Sequence, residues 1–181
     1  MELYTERLTL YELSLNDLED IHRLHSLPET DEFNTLGLPD SIRTTERLLN
    51  EWINQQQITP RTTYVFGIKL KTKDKFGGLI ALKLGKLNYR LAEVWYKLDP
   101  AHWRQGYTTE ALSALLKYGF TDLLLHRIEA GCAVENIASL KVLEKVGMIR
   151  EGRKRKILPI RGEWVDNYFY SILETEFIFN Q

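Results

Sequence analysis

A short polar stretch with one glycine precedes a predicted helix, and its residue types suit the binding of an anion. Residues 102–112 read HWRQGYTTEAL, in which Arg104 and Gly106 stand shortly before an apolar run. The first N–H groups of a helix have no partner inside the helix, and the helix dipole adds partial positive charge there. A glycine lets an anion approach the backbone closely. The stretch therefore fits a phosphate-binding loop, or else a plain turn in which Thr108 or Thr109 caps the helix.

A second segment brings similar residue types to the start of a second helix. Residues 135–152 read ENIASLKVLEKVGMIREG, which places Asn136 directly after a predicted strand and Ser139 at the start of a helix. Lys145 and Gly147 stand at the predicted end of that helix, where glycine is a common terminating residue. Together the two segments give the order strand, polar loop with glycine, long helix, strand, Asn-x-x-Ser, short helix and glycine.

The elements that would position these residues follow from the hydrophobic pattern. Alternating or continuous apolar residues predict strands over residues 6–13, 63–71, 76–84, 91–98, 127–134, 148–157 and 163–177. Helices are predicted over 15–27 with Ser14 or Asn16 as the cap, over about 45–57, from the 102–112 stretch onward, and over 138–146, with a loop at 28–43. This order indicates a single α/β (α+β) domain over residues 1–181. We expect a mixed, mostly antiparallel central sheet of about seven strands flanked by about four helices.

The composition favours a globular protein of the cytoplasm. The 181 residues carry a formal net charge of −1, which gives no general attraction to nucleic acid or anionic membranes. Cys132 is the one cysteine and cannot form an internal disulfide. Neither a signal-peptide pattern nor a run of roughly 18 apolar residues is present. The basic residues of 150–156 favour a solvated strand face over an RNA site, and the histidines lack the spacing of metal ligands.

With the two segments in this order, the sequence resembles the GNAT superfamily of acetyl-coenzyme-A-dependent N-acyltransferases. Within that superfamily it is similar to the group that acetylates the N-terminal residues of ribosomal proteins. The likeness runs from ERLTL at residues 6–10 to GEWVDNYFYSIL at residues 162–173. The chain departs from the common Gln/Arg-x-x-Gly-x-Gly/Ala pattern at its first position, Trp103, and at its last, Thr108. These departures concern side-chain contacts and leave the expected backbone contacts in place.

The resemblance implies where coenzyme A binds. It implies that the loop 104–108 wraps the pyrophosphate with backbone N–H groups, and that residues 93–98 lie beside the pantetheine arm and splay from 127–134. Asn136 and Ser139 match positions that reach the pantetheine arm and the sulfur. The implied cofactor-binding residues are Trp95, Lys97, Leu98, Arg104, Gln105, Gly106, Tyr107, Thr108, Thr109, Asn136, Ser139 and Lys145. Acetyl-coenzyme A is the implied co-substrate, and no metal is expected.

The implied chemistry is direct attack of a neutral amine on the acetyl thioester, without an acyl-enzyme. We assign the contact with the acetyl carbonyl to a backbone N–H near Leu98, and the role of base to Glu93, reached directly or through water. Ser139 is either the acid that protonates the leaving thiolate or only a helix cap. Cys132 lies inside a predicted strand, and we expect a small buried side chain rather than a nucleophile.

The sequence leaves the acceptor open between a protein N-terminus, a polyamine and another small amine. Acidic residues in the 28–43 loop favour a cationic acceptor; they are Glu29, Asp31, Glu32 and Asp40. The alternative function is a coenzyme-A-binding sensor or scaffold without turnover, because a fold does not guarantee an activity. A homodimer is kept as a candidate assembly, whereas neither a membrane nor a nucleic acid is an expected partner.

Overall fold

Residues 1–177 are described in the computed structural model, and they form one eight-stranded sheet with five α-helices. The strands are β1 (Glu2–Tyr4), β2 (Leu8–Glu12), β3 (Thr63–Leu70), β4 (Lys75–Leu84), β5 (Leu91–Leu98), β6 (Arg127–Ala133), β7 (Ile149–Ile160) and β8 (Glu163–Leu173). The helices are α1 (Leu18–His25), α2 (Pro28–Asp31), α3 (Ile42–Gln55), α4 (Tyr107–Thr121) and α5 (Ile137–Lys145). Within residues 1–177, every helix is too short or too polar to cross a membrane.

Within the described residues, the sheet contains a single parallel pair of strands, and these two strands stay paired over only three residues. The strand order is β1-β2-β3-β4-β5-β6-β8-β7, and all neighbours are antiparallel except β5 and β6. The parallel pairing joins only residues 91–93 of β5 to residues 127–129 of β6. Beyond them, 94–98 stay paired to β4 and 130–133 stay paired to β8. A wedge-shaped gap therefore opens between β5 and β6 at their carboxyl ends, and we call this gap the notch.

Helices cover both faces of the sheet. On one face, called the α4 face, Leu116 of α4 and Leu143 of α5 pack against Ile128 of β6. On the other face, called the α1 face, Leu24 of α1 packs with Leu49 of α3. Each face thus has its own buried cluster of apolar side chains.

The side chains of β5 alternate between the two faces, as expected for a strand. Val94, Tyr96 and Leu98 pack with the cluster on the α4 face. Trp95 packs with the cluster on the α1 face, and Lys97 follows the same alternation. Alternate side chains of β5 therefore reach the notch from opposite faces of the sheet.

The predicted class of fold is confirmed, and several predicted boundaries are wrong. The strand β1 was missed because three residues are too few to show a period, and it makes the sheet eight-stranded. The predicted loop 28–43 contains α2, a single turn that begins at Pro28 because proline suits the first helical position. The next helix begins at Ile42, earlier than predicted. The predicted strand 163–177 ends at Leu173, where the chain turns.

The predicted first helix is divided into two parts. Its first residues, Leu15–Asp17, form a 3-10 turn, and the α-helix runs only from Leu18 to His25. Of the two predicted caps, Ser14 is the one observed, because its hydroxyl accepts a hydrogen bond from the Asn16 N–H at 3.3 Å.

Candidate active site

The notch meets the first turns of two helices. The helix α4 follows β5 after residues 99–106, and α5 follows β6 after residues 134–136. Both helices cover the α4 face and contact each other. Because each begins close to the carboxyl end of its strand, their first turns lie at the open end of the notch. The structure thus brings the two segments singled out in the sequence to one place.

The first turn of α4 offers free backbone N–H groups. Gly106 is the N-cap residue, with a left-handed φ of 79°, and no side chain within residues 1–177 caps the turn. The first backbone bond of the helix runs from the Glu110 N–H to the Gly106 carbonyl at 3.0 Å. The N–H groups of residues 107–109 therefore have no partner inside the helix and can bind an anion. Since the helix begins at Tyr107, the predicted capping by Thr108 or Thr109 is wrong.

The loop before α4 exposes its polar side chains and is tied to the end of β5. Arg104 and Gln105 are exposed, and Arg104 has a left-handed φ of 60°. The Gln105 amide donates to the Ala101 carbonyl at 3.1 Å. The indole N–H of Trp103 donates to the Leu98 carbonyl at 2.8 Å. These two bonds hold the loop in place, and Arg104 precedes the first free N–H group of α4, that of Tyr107, by three positions.

An ion pair between Arg7 and Glu110, not predicted from the sequence, holds the start of α4 against the sheet. The Glu110 carboxylate accepts hydrogen bonds from the Thr5 hydroxyl at 2.5 Å, the Arg7 N–H at 2.8 Å and the Arg7 Nε at 2.6 Å. Burial raises the pKa of Glu110, but these hydrogen bonds outweigh burial and hold the pKa below its usual value. The Arg7 guanidinium also donates to the Gln105 carbonyl at 2.9 Å and lies 4.5 Å from the centre of the Tyr107 ring.

The end of β5 directs a backbone N–H into the notch. The Asp99 N–H donates to the Gly77 carbonyl of β4, whereas the Leu98 carbonyl accepts from Trp103 on the opposite side. In an extended strand the N–H and C=O of one residue point to the same side. The Leu98 N–H therefore points away from β4, towards the notch. This direction fits the predicted contact with the acetyl carbonyl.

The Ser139 side chain is hydrogen-bonded to Tyr96 and does not cap its helix. The N-cap of α5 is Asn136, whose side chain accepts from the Ser139 N–H at 3.1 Å. The Ser139 hydroxyl lies 2.6 Å from the Tyr96 hydroxyl on the α4 face of the notch. Burial raises the pKa of Tyr96 although the Ser139 hydrogen bond lowers it, so the phenol keeps its proton at neutral pH. The alternative in which Ser139 is only a cap is wrong, and Tyr96 is a member of the site that the sequence did not suggest.

Cys132 lies beside this pair and is a small buried side chain, as predicted. Its relative exposure is 5%, and its thiol lies 3.7 Å from the Asn136 carbonyl. Burial raises the pKa of the Cys132 thiol, although the Ser139 hydroxyl acts against this shift. A thiol with a raised pKa is a poor nucleophile. This environment suits a mechanism without an acyl-enzyme.

Trp95 and Lys97 point to the α1 face, opposite to Ser139. The Trp95 ring packs against Trp52 of α3, with ring centres 5.8 Å apart. The Lys97 ammonium is buried and has no hydrogen-bond partner among residues 1–177. Burial lowers the pKa of Lys97 to about 8, against the effect of the Asp31 carboxylate. Any contact of Trp95 or Lys97 with a pantetheine arm on the α4 face would use the backbone of β5.

Glu93 lies at the apex of the notch and is exposed. In the sheet register it stands between Lys83 of β4 and Glu129 of β6. Its carboxylate is therefore solvated, which removes the cost of a charge inside an apolar strand. From this position Glu93 can reach the notch from the α1 face, the side opposite to Ser139.

Lys145 lies outside this arrangement. It is the exposed last residue of α5, and at about 1.5 Å per residue it lies roughly 9 Å along the helix from Ser139. The structure thus does not bring Lys145 to the first turn of α5.

Among residues 1–177, no three His, Cys, Asp or Glu side chains are grouped closely enough to hold a metal ion.

Comparisons with known proteins assign a domain type to this architecture. The acetyltransferase (GNAT) domain matches residues 7–149. The uncharacterized N-acetyltransferase YnaD of Bacillus subtilis (strain 168) is 32% identical over 97% of this chain and 99% of its own length. The crystal structure of spermidine N-acetyltransferase from Vibrio cholerae in complex with CoA and spermine has a TM-score of 0.84 at 26% identity, covering 95% of this chain and 98% of that one. A ribosomal-protein-S5-alanine acetyltransferase from Vibrio fischeri shares the fold, with a TM-score of 0.86 at 20% identity over 98% and 99% of the two chains.

Proposed function

Because the chain belongs to the GNAT family of acetyl-coenzyme-A-dependent N-acetyltransferases, we propose that its notch holds the thioester and that the acceptor amine enters from the α1 face. The observation that carries this proposal is the uncapped first turn of α4 at the open end of the notch. Its free N–H groups bind the pyrophosphate of coenzyme A, with Arg104 adding positive charge. The pantetheine arm then lies along the unpaired edge of β5 on the α4 face.

Residues around the notch supply what the transfer needs. The amine nitrogen forms a bond to the acetyl carbon, and the carbon–sulfur bond breaks. The Leu98 N–H donates to the acetyl oxygen as negative charge develops there. Ser139, hydrogen-bonded to Tyr96, gives its proton to the departing thiolate. The amine loses a proton to Glu93 or to water.

A substitution at Glu93 distinguishes these two proton acceptors. An α-amine has a reference pKa of roughly 7.7–8.0, so a base matters most at low pH, where little of the amine is neutral. Glu93→Gln keeps the shape of the side chain and should lower kcat/KM most at the acidic end of a profile over about pH 6–9. A profile parallel to that of the wild type would remove Glu93 from the mechanism and leave water as the acceptor.

The function itself is tested by thiol release from acetyl-coenzyme A with a panel of acceptors. The panel contains peptides with free N-termini, polyamines and free amino acids, since spermidine is named for a similar protein and ribosomal-protein-S5-alanine for a protein of the same fold. Amine-dependent release above the rate of hydrolysis supports a transferase. Binding of acetyl-coenzyme A without release for any acceptor would instead indicate the sensor or scaffold.

A further inference from the structure

Three buried polar atoms on the α1 side of the notch have no hydrogen-bond partner among residues 1–177. They are Nζ of Lys97 in β5, Oδ1 of Asn167 in β8 and Oδ1 of Asp31 in α2. Asn167 and Asp31 are only 4% and 5% exposed. Buried polar atoms in native proteins almost always have a partner, because leaving one unpaired is costly. These atoms therefore indicate a place where a polar ligand binds.

Lys97 and Asn167 stand at the same level on opposite sides of the notch. Glu93 and Glu129 are the last residues of β5 and β6 that face each other. Lys97 lies four residues beyond Glu93, and Ala133 lies four residues beyond Glu129. Asn167 pairs with Ala133 across β6 and β8. Because residues an even number of positions apart share a face of the sheet, both polar side chains stand on the α1 face.

Gly131 keeps the β6 side of this place open. It is exposed, and a Cβ atom at this position would lie only 2.8 Å from Nδ2 of Asn167. The missing side chain thus allows the Asn167 amide to lie over β6, beside the gap. A larger residue at position 131 would displace this amide.

The buried ammonium of Lys97 has no ion-pair partner within residues 1–177. Nε of Arg161, in the turn between β7 and β8, lies 3.3 Å from Oδ2 of Asp31. The Asp31 carboxylate raises the pKa of Lys97 but does not form an ion pair with it. The ion-pair partner of Asp31 is Arg161. Asp31 is therefore already paired, although the sequence counted it among the acidic residues that favour a cationic acceptor. Lys97 therefore presents a buried positive charge that suits an anionic group of a ligand.

We propose that Lys97 and Asn167 select an acceptor that carries a carboxylate next to its amine, that is, an α-amino acid. The Lys97 ammonium pairs with the carboxylate, and the Asn167 carbonyl oxygen accepts a hydrogen bond from the amine that faces the thioester. This inference rests on the proposed acetyl transfer. A polyamine is disfavoured because it brings only positive charge to a buried cation.

Matched pairs of acceptors test the role of Lys97. Each pair consists of an amino acid and the amine that lacks only its carboxylate, such as leucine with isoamylamine and phenylalanine with phenethylamine. We expect the wild type to prefer the amino acid in kcat/KM. Lys97→Met keeps the length of the side chain and removes the charge, and should reduce this preference by about tenfold to a hundredfold. Comparing the ratio between proteins cancels the intrinsic reactivity of each amine.

Two further variants complete the experiment. Lys75→Met removes an exposed lysine at the start of β4 and should keep the wild-type preference. Asn167→Val suits a strand and removes the amide, and should raise KM for the amino acid. The thermal midpoint and the affinity for coenzyme A should stay at wild-type values in both site variants, which shows that they are folded.

The outcomes separate this inference from the proposed function. A wild-type preference for the amines without carboxylate or for spermidine, or a preference that survives Lys97→Met, overturns the inference and leaves acetyl transfer intact. If no acceptor releases thiol, the proposed function fails. Calorimetry of leucine and phenylalanine with the coenzyme-A-loaded protein then decides: binding that is lost in Lys97→Met supports the subsite, and no binding to the wild type overturns it.

Discussion

The Ser139 hydroxyl is available for chemistry because a different side chain caps its helix. Asn136 accepts the hydrogen bond from the Ser139 N–H, and the Ser139 hydroxyl is left to Tyr96 at 2.6 Å. The sequence could not distinguish capping from acid catalysis at Ser139. Asn136 carries the capping, and the Ser139 hydroxyl is left for the acid role that we propose. A substitution at Asn136 removes the cap and keeps the hydroxyl, whereas a substitution at Ser139 removes the hydroxyl and keeps the cap.

Ser139→Ala should lower kcat and leave KM nearly unchanged, since the proton is needed mainly in the transition state. General acid assistance is worth roughly 10²–10⁴-fold, and we expect the low end because a coenzyme A thiolate is already a tolerable leaving group. The free energy of unfolding should also fall by about 1 kcal/mol, because the partly buried Tyr96 hydroxyl loses this partner. Asn136→Ala is the matched variant and should lose about 1 kcal/mol of stability as a missing cap. Wild-type kcat in the alanine variant of Ser139 would exclude it as the acid.

Local residue patterns predicted the uncapped helix start of the candidate binding loop, whereas contacts between residues distant in the sequence could not be predicted. Gly106 before a helix and Asn136 three positions before Ser139 are readable because helix starts depend on neighbouring residues. Arg7 and Asn167 gave no such signal. Arg7 pairs with Glu110 of the distant helix α4, and Asn167 comes to lie beside β6 only through the pairing of β8 with β6. Lys97 was assigned to the right strand, but the face on which its ammonium is buried became clear only from the register of the sheet.

At the scale of elements, the loop and the first turn of α4 act together. Gly106 combines a φ of 79° with a position next to Arg7, whose Nη2 would lie 3.3 Å from a Cβ atom added there. The left-handed backbone and the approach of a phosphate both require a residue without a side chain. The proposed binding of an anion thus depends on the junction of loop and helix.

Gly106→Val should weaken the binding of coenzyme A strongly, because it strains the junction and crowds the pyrophosphate. Gly162→Val is the matched control: it has a similar φ of 81° and no atom within 4 Å of the added Cβ. Both variants should lose stability, but only the first should lose affinity in calorimetry. Equal affinities in two folded variants would reduce the loop to a plain turn.

Charged side chains join the three strands beyond the notch. Arg127 of β6 pairs with Glu151 of β7 and donates to Glu129 at 2.7 Å. Ser171 of β8, which lies between those strands, donates to Glu151 at 2.7 Å. The Arg127 guanidinium, followed by the Ser171 hydroxyl, lowers the pKa of Glu151 to about 2. This network holds together the strands that form the β6 side of the notch.

The stability contributed by Glu151 should depend on pH in a defined window. A carboxyl group with a lowered pKa in the folded protein stabilises it above the ordinary pKa of roughly 4.3. That stabilisation is lost as the pH falls through the folded value of about 2. Glu151→Gln should therefore lower the thermal midpoint at neutral pH, and its deficit should shrink as the pH falls through this window. Glu46→Gln, at an exposed position of α3 outside the network, should show no such trend.

At the scale of the whole molecule, the notch results from one parallel pair inside an otherwise antiparallel sheet. The order of strands and helices predicted a mixed sheet, and the resemblance implied that the two strands splay. The exact point of separation, after residues 93 and 129, could not be predicted because it depends on pairing across the sheet. Element ends were misplaced where proline or a short strand broke the periodicity. The homodimer and the cytoplasmic location remain predictions from the sequence.

Binding of acetyl-coenzyme A should stabilise the whole fold without any metal. A ligand that binds only the folded state raises the free energy of unfolding by about 2.7 kcal/mol at a free concentration 100 times Kd. In the proposed complex, the backbone N–H groups of α4 and Arg104 provide the contacts with the phosphates, so that no metal ion is needed. The rise in thermal midpoint with acetyl-coenzyme A should therefore be the same with and without a chelator. The rise should persist in Gly162→Val and be much smaller in Gly106→Val at the same ligand concentration. A rise that requires a divalent cation would contradict binding of the pyrophosphate by the helix alone.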